Sequence, residues 1–237
     1  KYDSRVMIGL HKILDILEES NISATFFVLG WVAEKYPKIV KIIDDRGFEI
    51  GSHTHYHQLI YNQSVKTFKN DLDRSIKTLQ DQSGKIVKYF RAPGFSIKKC
   101  NKWAFEVIND LGIEIDCSIF PSSRAHGGFP EFKFSKPTKI RFKNFCLKEF
   151  PINTFDFFSK PIVFSGGGYF RFLPYSLIKK MSSKSDYIMT YFHPRDFDYG
   201  QPIVPGLSPL RRFKSYVGIK NCDIKLKNYL NDFDFID

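Results

Sequence analysis

Short, nearly continuous apolar runs alternate along this chain with segments whose apolar residues recur at helical spacing, and that alternation restricts the fold more than any other feature. A helix-length connection returns the chain to the starting end of a sheet, so strands separated by helices pair in parallel. The first helix carries Val6, Leu10, Ile13, Leu14 and Leu17, with Ser4 placed to cap it. Ala24 to Leu29 reads as a strand buried on both faces. A helix with Pro37 in its first turn and Gly47 as its stop leads to a strand over Phe48 to Gly51. Ser64 caps a helix through Phe68, Leu72, Ile76 and Leu79, Gly84 ends it, and Val87 to Phe90 follows as a strand. Trp103, Val107, Ile108 and Leu111 mark the next helix, stopped by Gly112, before Ile113-Glu114-Ile115 leads to Asp116. The expected fold class is α/β, an open parallel sheet or a barrel.

Residues 117 to 160 break this rhythm and read as long loops with a hairpin. Beyond them come a tight turn at Gly166-Gly167-Gly168, a short helix near Tyr175 to Met181, a strand over Ile188 to Phe192, and a terminal helix from Ile224 to Leu230. No Gly-, Ser- or Pro-rich linker divides the 237 residues, which read as one domain. No apolar run reaches the roughly 18 to 20 residues that cross a bilayer, and Lys1-Tyr2-Asp3-Ser4-Arg5 is not a signal peptide. Cys100, Cys117, Cys146 and Cys222 form no C-x-x-C pair and fit free thiols in a reducing, cytoplasmic compartment. The formal charge of +11 attracts a polyanion. Without a nucleic-acid reader motif, an acidic glycan or a membrane surface is expected rather than nucleic acid.

The polar residues that stand out come just past expected strands: His53, Arg91 after Phe90, Asp116 after Ile115, and His193 after Phe192. In parallel barrels the carboxyl ends of the strands converge on one mouth. Three of the six histidines fall within His53-Thr54-His55-Tyr56-His57. On a helix, His53 and His57 would share one face and hold a divalent metal such as zinc, while His55 would point elsewhere. Two imidazoles do not complete a tetrahedral site, so a carboxylate must come from another segment; a chance surface cluster is the plain alternative. Arg91-Ala92-Pro93-Gly94-Phe95 reads as a strand end with a rigid turn, or as an arginine fork that keeps a neighbouring carboxylate ionised. Asp116 reads equally as a turn residue or a site residue, and His193 as a core histidine or a general acid. Ser122 to Gly128 reads as a surface loop.

Taken together, Thr25 to Trp31, His53-Thr54-x-x-His57, Arg91-Ala92-Pro93, Asp116 with Ser118, and His193-Pro194 resemble the polysaccharide deacetylases of carbohydrate esterase family four. Gly166 to Arg171 resembles a Gly-Gly-Gly-Tyr-Phe-Arg segment of members from exopolysaccharide and surface-polysaccharide loci, and the likeness runs from about Ser4 to Phe233. It implies a distorted (β/α) barrel with fewer than eight strands. It also implies a metal, zinc foremost, bound by Asp-His-His, and hydrolysis of N-acetyl groups from hexosamines of a bacterial surface polysaccharide or a lipid-linked glycan precursor. Carried over by position, His53 and His57 are the implied metal ligands, Arg91 the orienter of a basic aspartate, His193 the acid and Asp116 its partner. Gly94 stands where the wider family commonly has an aromatic residue whose backbone N–H stabilises an oxyanion; substrate contact is expected at Gly94 and Phe95. The family's first motif, a strand ending in the aspartates that give the base and third ligand, is not in these residues, so the first strand is expected to be missing. Asp3 follows no strand and does not take that role. A relative that binds glycan or a partner without turnover, and an esterase acting on O-acetyl groups of a polysaccharide, are the alternative readings.

Overall fold

The computed structural model describes residues 4–123, 126–142, 145–157 and 160–236. They group into two compact units, Thr25–Thr154 and Lys1–Ala24 with Phe155–Asp237. Asp3, Arg124 and Ala125 lie outside the described residues. The first helix, α1 (Val6–Glu19), buries Leu10, Ile13, Leu14 and Leu17 on one stripe as its spacing predicts. Its cap is Arg5, not Ser4, and Arg5 makes no side-chain capping bond, because a guanidinium has no acceptor to offer the first-turn N–H groups; it donates instead to Asp198 through two bonds of 2.6 and 2.7 Å.

The unit Thr25–Thr154 is built on β1 (Thr25–Val28), α2 (Gly30–Lys35), α3 (Lys38–Asp45), β2 (Glu49–Ser52), α4 (Val65–Ser83), β3 (Tyr89–Phe90), α5 (Ala104–Asp110), β4 (Ile115–Asp116), β5 (Thr138–Arg141) and β6 (Cys146–Glu149). The sheet order is β1-β2-β3-β4-β6-β5, parallel from β1 to β6, with β5 antiparallel on β6. The expected hairpin is therefore β5–β6, and its second strand extends the parallel sheet. Ser64 and Thr67 form a reciprocal capping box at the start of α4, and Gly84 closes it at φ 68°. Phe68, Leu72 and Leu79 of α4 are fully buried, each stabilising the fold by about 1.5–3 kcal/mol. In β1 only Val28 is buried and the rest is half-buried, short of the two-sided burial its apolar run suggests.

The register aligns the strand ends: Val28 lies beside Ser52, Ser52 beside Phe90, Phe90 beside Asp116, and Asp116 beside Glu149. Parallel ladder bonds continue past them, from His53 N to Val28 O, Arg91 N to Ser52 O and Cys117 N to Phe90 O. One end of this sheet thus collects His53, Arg91 and Asp116.

The other unit adds β7 (Phe155–Phe157), β8 (Lys160–Ile162), α6 (Gly167–Phe172), α7 (Tyr175–Ser182), α8 (Pro209–Tyr216) and α9 (Cys222–Asp232). Its core includes Leu14, Phe164, Phe170, Ile178, Phe197 and Tyr229. The three-glycine segment is not a simple turn: Gly166 caps α6 and Gly167 begins it. A Cβ on Gly166 would come within 2.4 Å of the Tyr191 carbonyl oxygen, so this segment lies directly on the residues before His193. The strand expected over Ile188 to Phe192 shrinks to a single bridge between Tyr191 and Gly166.

Candidate functional site

His53 and His57 meet, with ring centroids 5.0 Å apart, but not on a helix. Residues 53–57 form an irregular turn after β2, with Thr54 at φ 66° and His57 at φ 58°. Left-handed backbone at two non-glycine residues is costly and needs fixing from outside. Asp71 on α4 supplies this, its carboxylate accepting the His55 N–H at 2.9 Å and the Tyr56 N–H at 3.1 Å, while Thr54 Oγ1 accepts the His57 N–H at 3.2 Å. His55 is turned inward and 1% exposed, and a Cβ on Gly30 would lie 2.4 Å from its Nδ1. Burial, and then the Arg74 charge, push the His55 pKa down and keep the ring neutral. His53 Nδ1 lies 2.6 Å from the Arg91 carbonyl oxygen, and only a protonated Nδ1 can donate to it. That bond sets the tautomer that leaves Nε2 unprotonated, the state a metal-binding imidazole requires.

Arg91 is fixed by a bond from Nε to the Cys117 carbonyl at 3.1 Å and by the faces of Phe27 and Phe95, 4.5 and 5.9 Å from its guanidinium carbon. None of these contacts is a carboxylate. Gly94 sits at φ 61°, and a Cβ there would meet Leu59 Cδ2 at 2.9 Å. Phe95 is 5% exposed, its ring 5.5 Å from that of Phe120 and its N–H bonded to the Ala92 carbonyl. Its side chain belongs to the core, which removes it as a substrate contact.

Asp116 is fully buried and shares a hydrogen bond with Glu149, its cross-strand neighbour on β6. Ser118 Oγ donates to Asp116 and accepts the Ala92 N–H at 2.8 Å, and Glu149 Oε1 accepts the Ile119 N–H at 3.1 Å. Burial pushes Asp116 up to about 6 and Glu149 well above the ordinary carboxyl range, so one proton rests on Glu149 and bridges the pair. Both groups hold protons more tightly folded than unfolded. The stability they contribute is complete below the ordinary values of 3.8 and 4.5 and is lost as pH rises through about 6 and above. Urea midpoints should therefore fall as pH rises from about 4 through about 6 and above. Glu149→Gln, which keeps a donor toward Asp116 but carries no titrating proton, should flatten that slope; equal slopes would contradict the shared proton. Glu149 was missed in the sequence because nothing local signals that β6, rather than β5, neighbours β4.

His193 lies in the other unit, at the start of a 3-10 turn over Pro194–Phe197, with its side chain 60% exposed. Within its own unit the carboxylate against it is Asp196, whose Oδ2 accepts the His193 N–H at 2.9 Å and lies 3.6 Å from Nδ1. Asp196 is buried and paired with Arg171 Nε at 3.0 Å. Burial opposes its ionisation, but the bonds and charge from His193 and the Arg171 charge prevail and hold its carboxyl below the usual range. Arg171 in turn donates to the carbonyls of Ser215, Val217 and Lys214. The Gly166 to Arg171 segment thus ends on the residue that braces the partner of His193. The spacing His193-Pro-x-Asp196 was the available signal, a carboxylate placed to cap the turn that His193 opens.

Architecture and strand-end chemistry define an α/β protein with polar groups gathered at the carboxyl ends of a mostly parallel sheet. The polysaccharide deacetylase family model matches residues 8–115, and the model described as a domain of unknown function (DUF3473) matches residues 117–237. The chain belongs to the DUF3473 family, whose model spans half of it, and its residues 8–115 match a polysaccharide deacetylase domain. It is 38% identical over 96 residues to a peptidoglycan-N-acetylglucosamine deacetylase of Bacillus cereus, covering 40% of this chain and 35% of that protein. It is 28% identical over 82 residues to a peptidoglycan-N-acetylmuramic acid deacetylase of Bacillus subtilis, covering 35% and 31%. The chain thus spans about a third of the length of these two relatives. A polysaccharide deacetylase structure from Mycobacterium smegmatis superposes with a TM-score of 0.64 at 16% identity, over 94% of this chain and 71% of that one. A family-four pseudoenzyme from Bacillus anthracis gives 0.53 at 13%, over 96% and 58%. Both likenesses concern the fold alone.

Proposed function

We propose that this protein hydrolyses N-acetyl groups from hexosamine residues of a bacterial surface polysaccharide, finished or lipid-linked, with a divalent metal, zinc foremost. The observation that carries the proposal is the His53–His57 turn, in which Arg91 O fixes the His53 tautomer. These residues suit two positions of a metal site, and bound there a zinc ion supplies Lewis-acid polarisation of an acyl carbonyl. The two deacetylases acting on N-acetylhexosamines of peptidoglycan support the substrate class. In this reading the Arg91 guanidinium, held edge and face, orients a carboxylate base, and His193, steadied by Asp196, returns a proton to the departing amine. The net charge of +11 favours an acidic glycan or a membrane-bound precursor.

A second reading, a glycan binder without turnover, is favoured by one observation: among the described residues no third ligand joins the two histidines. Acetate release by the full-length, metal-loaded protein separates the cases. Release from N-acetylated hexosamine oligomers over O-acetylated xylan is expected; the reverse preference supports an O-esterase, and none from either supports the silent binder.

A further inference from the structure

The unit Lys1–Ala24 with Phe155–Asp237 contains a cavity of about 620 Å³ that the proposed chemistry uses only where His193 reaches its wall. That volume suits a sugar-sized ligand. Its charged wall is Arg5, Asp198, Arg195 and Arg211. Asp198 is committed to Arg5 by two bonds, so this pair contributes no net charge. Arg195 and Arg211 make no ion pair among the described residues. Arg195 is nevertheless held in place: its Nη2 donates to Gln201 Oε1 at 2.8 Å, and its guanidinium carbon lies 5.8 Å from the centroid of the Tyr216 ring. Gln201 is itself pinned by bonds from Nε2 to the Arg195 and Asp198 carbonyls at 2.7 and 2.8 Å. Tyr216 is itself fixed, its Oη donating to the Pro202 carbonyl at 3.1 Å and accepting the Val204 N–H at 3.0 Å. Val204 and Leu207 add apolar lining to the same cavity.

We infer that this cavity binds an anionic sugar unit of the glycan, its carboxylate or phosphate taken by Arg195 and Arg211 and its ring laid against Tyr216, Val204 and Leu207. Guanidinium forks recognise both anions in bidentate fashion, and the apolar wall matches the C–H face of a pyranose. The inference rests on the deacetylase reading only in making the ligand part of the polymer acted on; the binding is independent of turnover. The test is calorimetric titration of the full-length protein with trigalacturonate, with glucose 6-phosphate and with a neutral, non-acetylated trisaccharide. Binding of at least one anionic probe at least about 10-fold tighter than the neutral one is expected, and which of them binds identifies the anion. Arg195→Gln and Arg211→Gln should each weaken it by about 10-fold or more, while Lys66→Gln, an equal charge change outside the cavity, leaves it unchanged. Equal affinity for charged and neutral probes, or equal losses in all three variants, would overturn the assignment. Melting temperatures of the variants exclude misfolding as the cause. Acetate release from a neutral N-acetylated oligomer, measured on the same samples, reports separately on the deacetylase reading.

Discussion

Alanine at His53 or at His57 is expected to remove stoichiometric metal and to lower acetate release by at least about 10²-fold, while alanine at His55 leaves the metal in place. Outer partners of a metal ligand already cost about 10- to 100-fold when removed, and losing an imidazole ligand exceeds that. The contrast follows from the turn. Asp71 pins the His55 and Tyr56 amides, and the His53 and His57 rings meet edge to face while the His55 ring is turned into the protein beside Gly30. His55→Ala should instead lower stability, because it empties a buried space while the Asp71 bonds to the turn's backbone N–H groups remain. Elemental analysis of the purified variants decides the matter; full metal retention in both His53→Ala and His57→Ala would remove these residues from the site.

His193→Ala is expected to reduce kcat by about 10²- to 10⁴-fold, the usual worth of a general acid, with little change in melting temperature, because the side chain is 60% exposed. Asp196→Ala should lower both kcat and stability. It removes the carboxylate that positions His193 and leaves the buried Arg171 charge without its partner, a loss of about 3–5 kcal/mol. Temperature distinguishes the roles: both lower apparent kcat at nearly constant KM, but the part due to unfolding is recovered on cooling and the part due to lost positioning of His193 is not. An unchanged kcat in His193→Ala would end its assignment as the acid.

What could be read before folding was what the chain signals locally. Ser64 and Gly84 bound α4 by chemistry contained within a few residues, and the apolar stripe of α1 needs only its own spacing. The pairing of His53 with His57 was legible, yet the helical reason for it was not the one used. The turn depends on Asp71, far along the chain, and on positive φ at Thr54 and His57, which a histidine-rich stretch does not advertise. Asp116 was visible at a strand end, but its partner Glu149 depends on the parallel insertion of β6 beside β4, a long-range pairing with no sequence marker. Phe95 looked available for substrate because it follows Arg91-Ala92-Pro93; its left-handed backbone at φ 54° and its contact with Phe120 place it in the core instead. The strand expected before His193 failed because its apolar residues meet the α6 start at Tyr191 alone rather than along a ladder.

If the His53–His57 turn serves metal-dependent removal of N-acetyl groups, acetate release by the full-length protein must follow its metal content. The assay uses N-acetylated hexosamine oligomers, measured on the protein as purified, after chelation, and after zinc is restored. Release is expected to be lost on chelation, to return with zinc, and not to return in His53→Ala. Release undiminished in protein shown by elemental analysis to be free of metal, or none from the zinc-loaded protein, would contradict it.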